Sequence, residues 1–204
     1  KTAIRGVESN GMMCSTRELE LGDDHDGIIE LDAAAPVGQV YADWAGLNDP
    51  VIDVSITPNR QDCMGVRGIA RDLAAAGLGT LNAIIVPDIA GVGPGPDVRT
   101  EDMEGCPAFF ARTVRGVTNG QSPEWMAKRL KAIGQKPIST LVDITNYIMI
   151  DLGRPLHVYD MASLKGGLVA RKGRAGEQVL ALNGKTYTVD ETMTVVADDE
   201  AVHD

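Results

Sequence analysis

Residues 168–197 read LVARKGRAGEQVLALNGKTYTVDETMTVVA, and the fold is decided here. Leu168-Val169-Ala170-Arg171 is a short apolar run of strand length. Val179 to Leu182 and Thr186 to Val189 flank Asn183-Gly184, a dipeptide that accepts the positive φ angles of a two-residue hairpin turn. Met193 to Ala197 supplies a last strand. Upstream the apolar period changes from two to 3.6. Ser122-Pro123-Glu124 offers an N-cap, a first-turn proline and an early acid beside the positive end of the dipole. Met126, Leu130 and Ile133 then form an apolar stripe, Lys128, Arg129 and Lys131 take the other faces, and Gly134 stops the helix. Ser139 or Thr140 caps a second helix with the stripe Leu141, Ile144, Ile148 and Leu152, ending at Gly153. With Phe109 to Val114 as a further strand, this half of the chain is α+β.

Working towards the N-terminus, Gly91-Val92-Gly93-Pro94-Gly95-Pro96 is a linker, and Leu47-Asn48-Asp49-Pro50 is a second, softer break. Between them Val51 to Ile56 alternates as a strand, which Pro58 and Asn59 end. Asp62 is placed to cap a helix carrying Cys63, Val66, Ile69, Ala70 and Leu73 on one face, with Gly77 as its stop. The arginines of the stretch Asn59-Arg60 to Arg71 are expected to pair with acids of their own domain.

The 204 residues are 44% apolar and 24% charged, a globular balance, and aromatics at 4% leave the core to Ala, Val, Ile and Leu. No apolar run approaches the roughly 18 residues of a membrane span, and no secretory leader is visible. Cys14, Cys63 and Cys106 are too scattered for a zinc knuckle or a disulfide framework and suit a reducing cytoplasm. Phosphate-cradling, dinucleotide and nucleophile-elbow motifs are absent, so no ATP or metal site is placed within the chain. Asp23-Asp24-His25-Asp26-Gly27 lacks the alternating oxygen ligands of a calcium loop and reads as a solvated acidic loop. His203 lies in an acidic stretch and receives no role. The chain, from Lys1 to Asp204, reads as part of a longer protein.

The net charge of −10 is unevenly spread. Residues 1–105 hold 7 Lys/Arg against 18 Asp/Glu, whereas residues 106–190 hold 12 against 6. A local cationic excess attracts a polyanion even in an acidic chain. Arg112, Arg115, Lys128, Arg129, Lys131 and Lys136 are the candidates for such contacts. His157 follows the Gly153 stop on the turn Arg154-Pro155-Leu156-His157, where it can converge with Thr145 and Asn146 of the preceding helix on a pocket.

Three stretches carry a family resemblance. The first is Ile4-Arg5-Gly6-Val7-Glu8-Ser9-Asn10-Gly11-Met12-Met13-Cys14-Ser15 with Asp24-His25-Asp26-Gly27-Ile28. The second is Ile56-Thr57-Pro58-Asn59-Arg60-Gln61-Asp62-Cys63 with Arg67-Gly68-Ile69-Ala70-Arg71. The third is Ser122-Pro123-Glu124-Trp125, Leu141 to Tyr147, and Leu152-Gly153-Arg154-Pro155-Leu156-His157. In order and spacing they resemble the bacterial phenylalanyl-tRNA synthetase β subunit over almost the whole chain.

The resemblance implies four parts: residues 1–40 as the end of an OB-like tRNA-binding fold, 41–90 as a small enclosing domain, 91–96 as linker, and 97–204 as the first part of the editing domain. It further implies an α2β2 heterotetramer with an α subunit, tRNA(Phe) as partner, and ATP and Mg²⁺ bound at sites of the whole enzyme outside this chain. The rest of the editing pocket, including an acid and a glycine-rich loop, is expected beyond Asp204. A pocket shaped for phenylalanine rejects one added hydroxyl poorly, whereas a site that hydrogen-bonds a hydroxyl discriminates by roughly 10⁴–10⁵. Hydrolysis of mischarged tyrosyl-tRNA(Phe) at a second site therefore supplies the missing selectivity. The resemblance implies His157 and Thr145 as residues of that pocket, with Asn146 beside them. An imidazole there can serve as base, or orient water and the terminal ribose. Lys136 stands where many relatives carry Arg, keeping the charge without the planar fork. The competing expectation is a catalytically silent scaffold that only binds tRNA.

Overall fold

The run Leu168 to Arg171 becomes the centre of a mixed sheet because it can be covered on both faces. In the computed structural model, which describes residues 2–181 and 184–203, strand β4 (Leu168–Lys172) is buried from Leu168 through Arg171. It pairs in parallel with β3 (Val98–Thr100), Val98 opposite Leu168, and antiparallel with β7 (Thr194–Ala197), Val169 opposite Ala197. The edge strand β8 (Val202–His203) completes the order β3-β4-β7-β8. Parallel pairing needs a long crossover, and the chain between β3 and β4 supplies it with two helices. The hairpin of β5 (Gln178–Leu180) and β6 (Thr186–Thr188) pairs Leu180 with Thr186. Of the expected Asn183-Gly184 turn, Asn183 lies outside the described residues, as does Leu182; Gly184 has φ +77°.

The crossover helices are α3 (Glu124–Ala132) and α4 (Thr140–Leu152). α3 buries Met126 and Leu130, but Ile133 is exposed because the helix ends one residue before it. Gly134 turns the chain with φ +78°, and the Gln135 amide reaches back to the Leu130 carbonyl at 2.9 Å. Ser122 is not the cap: Pro123 holds that position, and the Ser122 hydroxyl is drawn to the Asp143 carboxylate. Ser139 takes the N-cap position of α4 without a side-chain cap. The proposed stripe of α4 is only partly covered, with Ile144 and Leu152 exposed; its one fully buried residue is Asp143.

Two expected strands do not form. Val51 to Ile56 and Phe109 to Val114 have strand-like sequences but no paired backbone, and Phe110 is 84% exposed. Strand propensity measures fit to a half-buried pleated surface, and neither segment meets a neighbouring strand. β3 and β8, which were not foreseen, form because β4 and β7 offer them edges.

Helix α2 (Val66–Ala75) follows a 3-10 turn at Gln61–Cys63. Its N-cap is Gly65; Asp62 does not cap it but pairs with Arg60 and Arg71, which also reach Asp72. The expected pairing with acids is therefore seen for Arg60 and Arg71, and it is what takes Asp62 away from the cap; Arg67 instead donates to the Asn82 carbonyl at 3.0 Å. Gly77 has φ +80°, and the Leu78 amide bonds the Leu73 carbonyl at 3.0 Å. Residues 79–97 have no helix or strand, yet the compact unit Ile52–Asp204 includes both sides of this stretch. Across it, Gly65 meets the end of α4: a Cβ built there would overlap the Gly153 amide nitrogen and lie 2.9 Å from the Leu152 carbonyl carbon.

The other compact unit, Lys1–Val51, contains the hairpin of β1 (Thr2–Ile4) and β2 (Val7–Ser9), turned through Arg5 (φ +50°) and Gly6 (φ +80°). Two successive positive φ angles are the geometry of a type I′ turn. His25 is tied to its loop through the Ser15 hydroxyl at 3.1 Å, and α1 (Tyr41–Ala45) packs Tyr41 near Trp44 before Gly46 ends it in the left-handed region.

Gly65→Ala is expected to destabilise the chain by about 1–3 kcal/mol in urea denaturation, since the obstructing atoms are backbone. Gly79→Ala, with open space around its position, is expected to stay within about 0.5 kcal/mol. A pH dependence follows from two carboxylates. The Thr194 hydroxyl, the Gly105 amide and Lys172 hold Asp102 down at about 2, and Arg171 above all holds Glu177 at about 2. A depressed folded-state pKa stabilises at neutral pH, and that stability is lost as pH falls from the ordinary carboxylate range near ~4 through about 2. Urea midpoints should therefore drop over this window, less steeply in Asp102→Asn with Glu177→Gln.

Candidate functional site

α4 sets the candidate site, and its first turn is fastened by side chains. The Asp143 carboxylate accepts the Ser122 hydroxyl and the Ile138 amide, the latter at 2.9 Å. The Thr140 hydroxyl donates to the Gly120 and Gln121 carbonyls, and the Asn119 amide oxygen accepts the Leu141 amide at 3.2 Å. Segment 119–122 is thereby held against the start of α4.

One turn further on, the Thr145 hydroxyl donates to the Val142 carbonyl at 2.6 Å, within its own helix. Asn146 is half-buried beside it. Gly153 closes α4 in the left-handed region (φ +69°), and His157 lies exposed on the loop beyond. Among the described residues no hydrogen bond joins His157 to Thr145 or Asn146. The structure instead stacks the His157 ring on Tyr159, 6.0 Å between centroids and 4° between planes. Tyr159 in turn meets His203 at 5.6 Å and 54°, and His203 Nε2 lies 2.9 Å from Asp198 Oδ2. The sequence alone assigned His203 no role because its ring partner, Tyr159, is remote along the chain. Only the pairing of β7 with β8 brings His203 back beside Asp198.

The six candidate cations are all exposed, but they differ in what they touch. Lys128 pairs with Glu124 at 2.9 Å along α3. The Arg129 guanidinium lies 5.7 Å from the Trp125 ring centre and donates to the Tyr147 hydroxyl at 2.8 Å, while Trp125 and Tyr147 meet edge to face. Arg112 donates to the Ile89 carbonyl at 2.9 Å. Among the described residues Arg115, Lys131 and Lys136 form no ion pair. Asp62, Cys63 and Asp72 bring three potential metal-ligand atoms within 4.8 Å of one another. Arg60 and Arg71 already neutralise both carboxylates, and burial raises the Cys63 thiol pKa, which disfavours a thiolate ligand. A polar cleft of about 140 Å³ lies elsewhere, with Arg99, Arg171 and Arg174 facing Asp198, Asp199 and Glu200; His157, Thr145 and Asn146 do not line it.

Helices α3 and α4, the mixed sheet and the His157 loop all fall within residues 105–203 or at their margin, and those residues match the B3/4 domain family. The second half of the chain is thus similar to this domain family. Along its whole length it is 64% identical to the phenylalanine–tRNA ligase β subunit of Novosphingobium aromaticivorans, covering 26% of that protein. The β subunits of Zymomonas mobilis (61%) and Rhodopseudomonas palustris (58%) match 98% of the chain, which covers 26% and 25% of them. Over its length the chain is thus similar to phenylalanine–tRNA ligase β subunits, and it spans about a quarter of the length of the relatives it matches.

Arg129→Ala should remove the contact over Trp125, changing Trp125 emission and lowering stability by about 0.5–1 kcal/mol in denaturant titration. Lys131→Ala should leave both unchanged.

Proposed function

We propose that this chain contributes tRNA binding and hydrolytic editing of tyrosyl-tRNA(Phe) to the β subunit of a phenylalanine–tRNA ligase. The observation that carries this reading is the identity to β subunits along 96–100% of this chain, 54–64% across eight of them. The four-part division at residues 40, 90 and 96, the cytoplasmic setting, the α-subunit partner, and ATP with Mg²⁺ at sites outside this chain belong to the same proposal. Its site residues are His157, Thr145 and Asn146. His157 supports it by geometry: an exposed imidazole stacked on Tyr159 stands beyond the helix that carries the other two. A neutral imidazole in that position activates or orients the water that attacks the ester carbonyl.

For tRNA, all six cations Arg112, Arg115, Lys128, Arg129, Lys131 and Lys136 remain in the proposal, with Arg115, Lys131 and Lys136 the strongest because, among the described residues, no ion pair, side-chain hydrogen bond or ring contact engages them. Phosphate contacts release counterions, so affinity falls as salt rises, with a slope of roughly 0.7–0.9 per phosphate neutralised.

In the complete ligase, His157→Ala should slow deacylation of tyrosyl-tRNA(Phe) by at least about tenfold, with phenylalanine-dependent pyrophosphate exchange unchanged. Equal loss of both activities would mean general misfolding and refute the assignment. If wild type does not deacylate at all, the scaffold reading replaces it. Replacing Arg115, Lys131 and Lys136 by Ala should flatten the salt slope of tRNA binding by up to about three such units, alike for any tRNA. An unchanged slope would remove these residues from the interface.

A further inference from the structure

Tyr159 stands beside His157 and His203 beside Tyr159, and the editing reading leaves both unused. We propose that Tyr159, backed by His203 and Asp198, is a positioning residue that sets the plane of the His157 imidazole for hydrolysis; this rests on the editing reading given above. An exposed histidine on a loop has a broad χ2 and many ring orientations. The near-parallel stack at 6.0 Å selects one of them, at a separation where aromatic pairs attract. Tyr159 in turn contacts His203, tilted by 54° at 5.6 Å.

His203 is anchored in turn. Asp198 is almost fully buried, and its carboxylate accepts the amides of Lys165, Glu200 and Ala201, each at 2.8 Å, besides the approach of His203 Nε2 at 2.9 Å. These donors, the Lys165 amide foremost, hold the Asp198 carboxyl well below the usual carboxylate range. Three contacts therefore connect a rigid, charged loop beside β8 to an exposed imidazole on the loop after α4. Deacylation needs the imidazole nitrogen held in line with one water and one ester carbon, and a displacement of about 1 Å can cost a hundredfold in rate.

The test combines kinetics on the complete ligase with ring resonances of the 204-residue chain labelled with ¹⁵N-histidine. Tyr159→Leu is expected to lower kcat for tyrosyl-tRNA(Phe) hydrolysis about tenfold with KM within about twofold, and to abolish the ring-current shift of the His157 signals. Tyr159→Phe keeps the stacking face and should restore both. His203→Gln should broaden the His157 signals and lower kcat less. A Tyr159→Leu enzyme with wild-type kcat, beside an inactive His157→Ala enzyme, overturns the proposal while leaving editing intact. An unchanged His157 shift in Tyr159→Leu overturns it independently of any activity. If neither wild type nor variants hydrolyse the substrate, the editing reading falls and takes the positioning role with it, and the ring-current shift then reports a stack without that chemistry.

Discussion

Asp143 has no exposed surface, and its carboxylate is satisfied by the Ser122 hydroxyl and the Ile138 amide. A buried carboxylate without such donors would be strongly destabilising, so three separate pieces of chain must meet wherever Asp143 goes. Those pieces are the entry to α3, the approach to α4 and α4 itself. The direction of α4 then determines where its glycine-terminated end delivers the His157 loop. The same end of α4 meets Gly65, where only a residue without Cβ allows the two backbones to approach. The position of the candidate site thus depends on one satisfied charge near the start of a helix and one absent side chain against its end.

The sheet provides the second fixed body. β4 is covered on both faces, and Arg171 within it is tolerated because Glu177 accepts its fork at 2.9 and 2.7 Å. β7 and β8 carry Asp198 and His203 at and between their ends, so the anchored loop belongs to the sheet whereas His157 belongs to the helical crossover. Tyr159 lies where the two meet, and its rings-in-contact arrangement is how the rigid part of the domain reaches an exposed loop residue.

Electrostatics are similarly partitioned. The cationic excess of residues 106–190 is a property of composition, yet tertiary contacts decide which charges remain available to a polyanion. Arg171 is spent inside the sheet, Lys128 is paired along its helix, and Arg129 joins α3 to α4 through Trp125 and Tyr147. Arg115, Lys131 and Lys136 keep their charge facing solvent.

By itself the sequence determined the α+β class, helices α3 and α4 to within a residue or two, helix α2 with its start three residues too early, and strands β4, β5, β6 and β7. Glycine stops, apolar period and turn chemistry act over a few residues, and these elements obey them. It also placed His157 just past a helix end. Tertiary structure alone decided the rest. Val51 to Ile56 and Phe109 to Val114 have strand sequences but no partner edge, whereas Val98–Thr100 and Val202–His203 pair because β4 and β7 present one. Ser122 and Asp62 look like helix caps, but a buried carboxylate claims the first and two guanidiniums claim the second. His203 was unreadable for the same reason: its neighbours Tyr159 and Asp198 come together through a strand pairing and a ring contact, and contacts between distant residues leave no local pattern in the chain.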